Sequence, residues 1–178
     1  MLKKILIAGM ISYSALSTAF AKDLACADDY AKIIAPDLKK MATELSSNNY
    51  SFVREKTHHS LIEYSGGEEN FLRLLDLTKG LLKQSNTEIL NVETKPPLYS
   101  YKVGEEEVCF VPKVTTLKIQ GKTTQTPPSF MLAVRELDQH EWTYLEGANL
   151  EKNPQMLYVL FPNFPKNVKL PFNTKTSK

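Results

Sequence analysis

Two adjacent histidines, His58 and His59, are the residues in this sequence best suited to metal or acid–base chemistry. Adjacent side chains point in different directions on a helix or a strand, so this pair and the distant His140 form no recognisable ligand set. No cysteine or carboxylate stands at a spacing typical of zinc sites. The sequence therefore predicts surface or helix-capping histidines, with no metal site.

A general acid–base pair in a pocket is the second kind of chemistry to consider. Tyr50, His58 and Tyr64 can line the mouth of a cavity. Three aspartates can supply a carboxylate: Asp28, Asp29 and Asp76. A catalytic base must be buried enough to tune its pKa and must reach the substrate proton. Since no motif groups these residues, we predict no catalytic residue.

Trp142 and Tyr144 lie on one face of a predicted strand. Aromatic side chains with polar tips suit a pocket that stacks a flat ligand. The same pattern fits a sheet face that packs against helices, and we favour this second interpretation. The candidate ligand-binding residues are Tyr50, His58, Tyr64, Trp142 and Tyr144.

Motifs for nucleophilic catalysis and phosphate binding do not occur in the sequence. There is no Gly-x-Ser-x-Gly elbow. Gly66-Gly67 precedes a predicted helix but lacks the preceding strand and the Lys-Ser/Thr ending of a phosphate loop. No cofactor is expected.

The first 21 residues have the pattern of a secretory signal peptide. Lys3 and Lys4 precede a largely apolar stretch, and Ala19 and Ala21 are the small residues of a cleavage site. The stretch is interrupted by polar residues and is shorter than the about 20 apolar residues that a membrane span needs. We predict a periplasmic or secreted protein in which residues 22–178 form a single domain with no membrane contact.

Charge is balanced in the predicted mature chain. Two of the 22 lysines and arginines, Lys3 and Lys4, lie in the signal, so the remaining basic residues equal the 20 acidic ones in number. Without a basic patch, nucleic acid is not an expected partner. The acidic run Glu105-Glu106-Glu107 is interpreted as a solvated turn.

Cys26 and Cys109 are the two cysteines of the chain. An exported protein with an even cysteine count is compatible with one disulfide between them. Two separate buried thiols are the alternative, and the sequence does not decide between these states. A disulfide would close a long loop and stabilise the fold by about 3–5 kcal/mol.

Helices are predicted in the first half of the chain. Apolar residues recur at three- and four-residue steps over residues 24–46, where Pro36 must kink or split the helix. Residues 50–56 predict a short helix. Ser65 and Glu68 fit a capping box that begins a helix ending near Gln84, and the apolar stripe of this helix, Phe71 to Leu82, is expected to be buried against a sheet.

Strands are predicted in the second half, at residues 88–94, 98–103, 107–111, 114–120, 129–136 and 141–145. Residues 108–111 and 130–134 are apolar on both faces, which is typical of central strands that are covered on both sides, or on one side by the domain and on the other by a partner. A short helix at residues 154–161 and a proline-rich end follow. Helices followed by antiparallel strands predict an α+β fold with N-terminal helices packed on a curved antiparallel sheet.

This layout resembles the nuclear transport factor 2-like superfamily of cystatin-like α+β folds. The resembling segments are Asn48-Asn49-Tyr50 after the long first helix, residues 56–63 with 65–68, residues 129–134, and residues 141–145. Together they span roughly residues 30–171. The resemblance implies a cone-shaped fold with a pocket at its wide end, and it is strongest to small exported bacterial proteins.

The function predicted from these features is that of an exported, non-enzymatic module. It would hold a small apolar molecule in a cone pocket or a protein partner on the sheet face, and a homodimer is possible. The alternative is a small pocket enzyme of the isomerase or dehydratase kind. Superfamily members include enzymes, ligand binders and interaction modules, so the fold alone does not choose between them.

Overall fold

The computed structural model describes residues 24–47 and 50–171, and the predicted signal peptide lies outside this part of the chain. The α-helices are α1 (Cys26–Asp29), α2 (Ala35–Ser47), α3 (Ser51–Lys56), α4 (His59–Tyr64), α5 (Glu68–Gln84) and α6 (Gln155–Leu160). The strands are β1 (Thr87–Thr94), β2 (Tyr99–Val103), β3 (Glu106–Ile119), β4 (Lys122–Gln125), β5 (Ser129–Glu136) and β6 (Thr143–Glu146). The α+β class predicted from the sequence is confirmed. Among the described helices, none has the length and apolar character to cross a membrane.

One long strand, β3, pairs with most of the other strands of the curled antiparallel sheet. Its first part pairs with β2 on one side and with β5 on the other, and β6 follows next to β5. Its second part pairs with β1 and β4. The sheet is therefore a half-barrel in which β3 contacts four other strands along its length.

A proline in the middle of β3 explains why the sequence predicted two strands there. Pro112 lies between the predicted strands 107–111 and 114–120, and the chain continues through it as a single strand. The Pro112 carbonyl accepts a hydrogen bond from the Lys95 backbone N–H at 3.0 Å. The N–H and C=O of a strand residue point to the same side, so the missing N–H of Pro112 faces the gap between β1 and β2. Pro96 and Pro97 interrupt the neighbouring strand at this gap, and hence no ladder donor is lost.

Pro36 is accommodated by a π-helical turn, Tyr30–Ile34, that joins α1 to α2. A proline ring clashes with the carbonyl four residues earlier in a regular α-helix. The wider π turn directly before Pro36 moves that carbonyl away, because its hydrogen bonds span five residues. Residues 26–47 thus form one continuous helical segment, and the predicted kink takes the form of a π turn.

The capping box predicted at Ser65 and Glu68 is wrong. The Ser65 hydroxyl donates to the Leu61 carbonyl at 2.7 Å and so caps the C-terminal end of α4. Helix α4 was not predicted from the sequence. Gly67 is the residue before α5 and provides no side-chain cap. Gly66 and Gly67 both have positive φ, which is how the chain reverses between the two helices within three residues.

Two apolar clusters lie on opposite faces of the sheet. Alternate residues of β3 separate between them: Val108 and Phe110 join α6 and the C-terminal segment, whereas Cys109 and Val111 join residues of the π turn, α2 and α3. This alternation confirms the prediction that 108–111 and 130–134 belong to central strands covered on both faces.

The apolar stripe of α5 is buried only in part. Phe71 is buried and Leu75 is half-buried, but Leu74, Leu77 and Leu81 are exposed within the described structure. α5, a helix of 17 residues, lies against β1, which is an edge strand of the sheet. The expectation that the whole stripe is buried against the sheet is therefore wrong for Leu74 and Leu81.

Candidate functional site

An apolar cavity of about 170 Å³ lies between the helices and the sheet. Its helical wall is formed by Leu38, Met41, Leu45, Phe71 and Leu75. Its sheet wall includes Val92, Met131, Tyr144 and Leu145. An apolar cavity of roughly 150 Å³ takes one molecule the size of benzene, so this space can hold a small apolar molecule or part of a larger one.

Polar groups in the cavity wall have partners within the protein. The Lys113 ammonium group pairs with the Glu146 carboxylate. The Thr57 hydroxyl donates to the Val53 carbonyl at 2.6 Å. Because Glu146 is exposed, this ion pair connects the apolar interior to solvent, and a ligand that carries a polar group would meet it there.

Tyr144 connects the cavity wall to helix α2. Its side chain is fully buried, and its hydroxyl donates to the Asp37 carboxylate at 2.8 Å. Burial raises the pKa of Tyr144 far above its ordinary value, and the adjacent Asp37 carboxylate raises it further. The phenol therefore stays protonated and acts as a hydrogen-bond donor, which does not suit it to the role of a catalytic base.

The raised pKa of Tyr144 predicts a loss of stability at high pH. Above pH 10 the tyrosine of the unfolded chain ionises while the folded one stays protonated, so the unfolded state binds fewer protons. Stability should then fall by about 1.4 kcal/mol per pH unit from this group. We expect the slope between pH 10 and 12 to be shallower by this amount in Tyr144→Phe, measured by urea denaturation. Equal slopes in the two proteins would contradict the assignment.

Trp142 lies on the same face as Tyr144 and is also fully buried. Its indole N–H donates to the Asp29 carboxylate at 3.0 Å, and the Arg135 guanidinium lies 5.5 Å from its ring centroid. Both aromatic residues belong to the cluster that contains helical residues such as Ile34. Trp142 therefore packs among helical residues, which is the interpretation that we favoured from the sequence. Tyr144 packs in the same cluster and also lines the cavity.

Glu107 does not lie in a solvated turn, as the acidic run had indicated. It is fully buried and is the cross-strand partner of Arg135, whose Nε donates to its Oε2 at 2.8 Å. The carboxylate also accepts from the backbone N–H groups of Ala25 and Cys26 and from the Ser100 hydroxyl. A buried carboxylate with four donors anchors the start of α1 to the middle of the sheet.

The remaining candidate residues are placed apart from the cavity. Tyr50 precedes α3, and its hydroxyl oxygen is buried with no hydrogen-bond partner among the described residues. Burial raises the pKa of Tyr50, and the Asp76 carboxylate adds to this effect. Tyr64 is exposed at the end of α4 and does not line the cavity.

His58 is buried and does not line the apolar cavity. It caps α4, with Ser60 N–H 3.3 Å from its Nδ1, as the capping role predicted for this residue implies. Its Nε2 lies 3.0 Å from the Glu106 Oε1, and its backbone N–H donates to the Tyr144 carbonyl. Of the five candidate ligand-binding residues, only Tyr144 lines the apolar cavity.

Most residues that line the cavity were not predicted as site residues from the sequence. The apolar stripe of α2 was predicted, but an apolar helix face has the same periodicity whether it packs tightly or borders a cavity. Lys113 and Glu146 are 33 residues apart and give no local signal. Comparisons with family models, with curated proteins and with solved structures found no match to this chain.

Proposed function

We propose that this protein is an exported, non-enzymatic binding module that holds a small apolar molecule in the cavity between α2, α5 and the sheet. The observation that carries the proposal is the composition of the cavity wall. Aliphatic, methionine and aromatic side chains dominate it, and about 170 Å³ is open to a guest. Burial of apolar surface from both partners provides the free energy of binding.

The same wall favours binding over acid–base catalysis. A catalytic base must reach a substrate proton. The ionisable residues that line the described cavity are Lys113, Glu146 and Tyr144, of which the first two pair with each other and the third donates to Asp37. This arrangement supports the binding role more strongly than the isomerase or dehydratase alternative.

Export to the periplasm or to the outside of the cell is part of the proposal. The Cys26–Cys109 disulfide supports it, because disulfides persist in oxidising compartments and are rare in the cytosol. We also propose a nuclear transport factor 2-like fold. The order of helices before a curled antiparallel sheet, with a cavity between them, supports this resemblance.

The methionines provide a direct test of the cavity. Besides the two in the predicted signal, the chain has only Met41, Met131 and Met156. Met41 and Met131 line the cavity, whereas Met156 packs in the other apolar cluster. In methyl-labelled protein titrated with benzene, we expect the NMR signals of Met41 and Met131 to shift together, with a dissociation constant of about 1 mM. The Met156 signal should not move.

A filled cavity is the matching control. Ala42 lies on the cavity wall in α2, and Ala42→Leu should weaken benzene binding at least about tenfold, or 1.4 kcal/mol. Ala27→Leu makes the same change at an exposed helical position and should leave binding unchanged. Equal shifts at all three methionines, or no effect of Ala42→Leu, would contradict the proposal. Native mass spectrometry of the protein from its own host would then identify the natural guest.

A protein partner is a second candidate function, favoured by one observation. Leu74, Leu77 and Leu81 are exposed at three- and four-residue steps along α5. Such a stripe is typical of helices that pack against another helix. A partner or a second copy would therefore contact α5 in this proposal, in place of the open sheet face considered from the sequence. The same native mass spectra would report any assembly.

A further inference from the structure

The side chains of His58 and His59 point toward each other, whereas the sequence predicted that they diverge. His58 is in extended conformation and His59 is the first residue of α4. This change of backbone conformation between neighbours brings the two rings together, with centroids 4.2 Å apart. Adjacent side chains diverge within a regular helix or strand, but this pair joins an extended residue to the first residue of a helix.

Glu106, the first residue of β3, completes a group of three potential ligands. One ligand atom from each of His58, His59 and Glu106 lies within 4.8 Å of the others. Tetrahedral ligands around zinc are about 3.3 Å apart, given metal–ligand bonds of about 2.0–2.1 Å. His59 is exposed, so its ring can turn the remaining distance without disturbing the core.

The surroundings hold His58 in the orientation that a ligand needs. Ser60 Oγ lies 2.7 Å from Nδ1. When a metal binds Nε2 on the side of Glu106, Nδ1 can carry the ring proton and donate it to this hydroxyl, in place of accepting from the Ser60 N–H. Histidine ligands in metal sites are usually oriented by such a hydrogen bond to the other ring nitrogen. The His58 ring also packs 5.3 Å from the ring of Phe161, measured between centroids.

The charge around the group suits a cation. A surface depression of about 280 Å³ contains the three residues together with Glu136 and Glu141. Arg135 also lines it, but its Nε is paired with Glu107 and its Nη1 donates to three backbone carbonyls. Solvent in the depression can supply the fourth ligand.

We propose that His58, His59 and Glu106 form a binding site for a divalent cation of the zinc class. Two imidazole nitrogens and one carboxylate oxygen match the ligands of zinc and neighbouring transition metals, whereas magnesium and calcium prefer oxygen ligands alone. The site is separate from the apolar cavity, and it does not depend on the function proposed for that cavity.

The site can be tested on untagged protein that lacks residues 1–21, with Zn²⁺ or Co²⁺ as the added ligand. The chain has three histidines, so each imidazole can be followed by NMR during a Zn²⁺ titration. We expect the ring signals of His58 and His59 to shift at stoichiometric metal, with His140 unchanged. Co²⁺ should give the visible absorption of a tetrahedral site with nitrogen ligands, which a purely structural histidine would not produce.

Variants distinguish this site from weak surface binding. His59→Ala removes an exposed ligand and should weaken Zn²⁺ binding at least about tenfold by calorimetry, as should Glu106→Gln. His140→Ala is the matched control and should bind as the unchanged protein does. Buried His58 is left intact, so that the variants fold. Affinities within threefold of one another in all four proteins, or a cobalt spectrum of the hexa-aqua ion, would overturn the proposal.

Discussion

Glu107→Gln is expected to lower the free energy of unfolding by about 3–5 kcal/mol, because it removes the buried carboxylate charge that pairs with the Arg135 guanidinium. The amide has the shape of the carboxylate, but its nitrogen cannot accept hydrogen bonds. At least one of the donors from Ala25, Cys26 and Ser100 would then lose its acceptor. Urea denaturation followed by tryptophan fluorescence measures the change, since Trp142 lies beside Arg135.

The control for this variant lies two residues away in the same acidic run. Glu105 is exposed, and Glu105→Gln should change the free energy of unfolding by less than about 0.5 kcal/mol. In a double-mutant cycle, Arg135→Met should cost less in the Glu107→Gln background than in the unchanged protein. A loss below about 1 kcal/mol for Glu107→Gln would show that the carboxylate is not the anchor of α1.

Removal of the disulfide is the second change with a large expected effect. Cys26 and Cys109 are 83 residues apart in sequence, and their bond restricts the unfolded chain over that whole loop. The chain-entropy relation gives about 4.5 kcal/mol for a loop of this length. The double variant Cys26→Ala/Cys109→Ala should therefore unfold at a lower urea concentration, by an amount equivalent to about 4–5 kcal/mol.

Thiol titration provides the accompanying check. Both cysteines are buried, so the measurement is made on protein unfolded without reductant, where no free thiol should react. Two reactive thiols per chain would contradict the disulfide. A double variant as stable as the unchanged protein would instead show that hydrogen bonds to Glu107 hold the start of α1 without the covalent bond.

The succession of elements was predictable because local periodicity encodes it. Helical spacing over residues 24–46, the Phe71 helix and the strand at 129–136 all match elements of the structure. The apolar runs 108–111 and 130–134 correctly indicated strands buried on both faces. β4 escaped prediction because its four residues, Lys122–Gln125, are all polar and exposed.

The roles of single polar residues were not predictable in the same way. Ser65 had the correct spacing for a capping box, but its hydroxyl completes α4 instead. Glu107 belongs to the acidic run Glu105-Glu106-Glu107, from which we predicted a solvated turn. One signal did exist, because Glu107 and Arg135 each occur beside an apolar run of a predicted central strand, and opposite charges on adjacent strands pair.

By itself, the sequence determined the fold class, the succession of helices followed by strands, and the apolar runs that form the centre of the sheet. These properties follow from the repeat of apolar residues along a few turns or a few pleats. Only the tertiary structure decided that Glu107 meets Ala25, that Cys26 is bonded to Cys109, and that His58 meets Glu106. Each of these contacts joins residues 48 to 83 positions apart, a separation over which the local periodicity of the sequence carries no information.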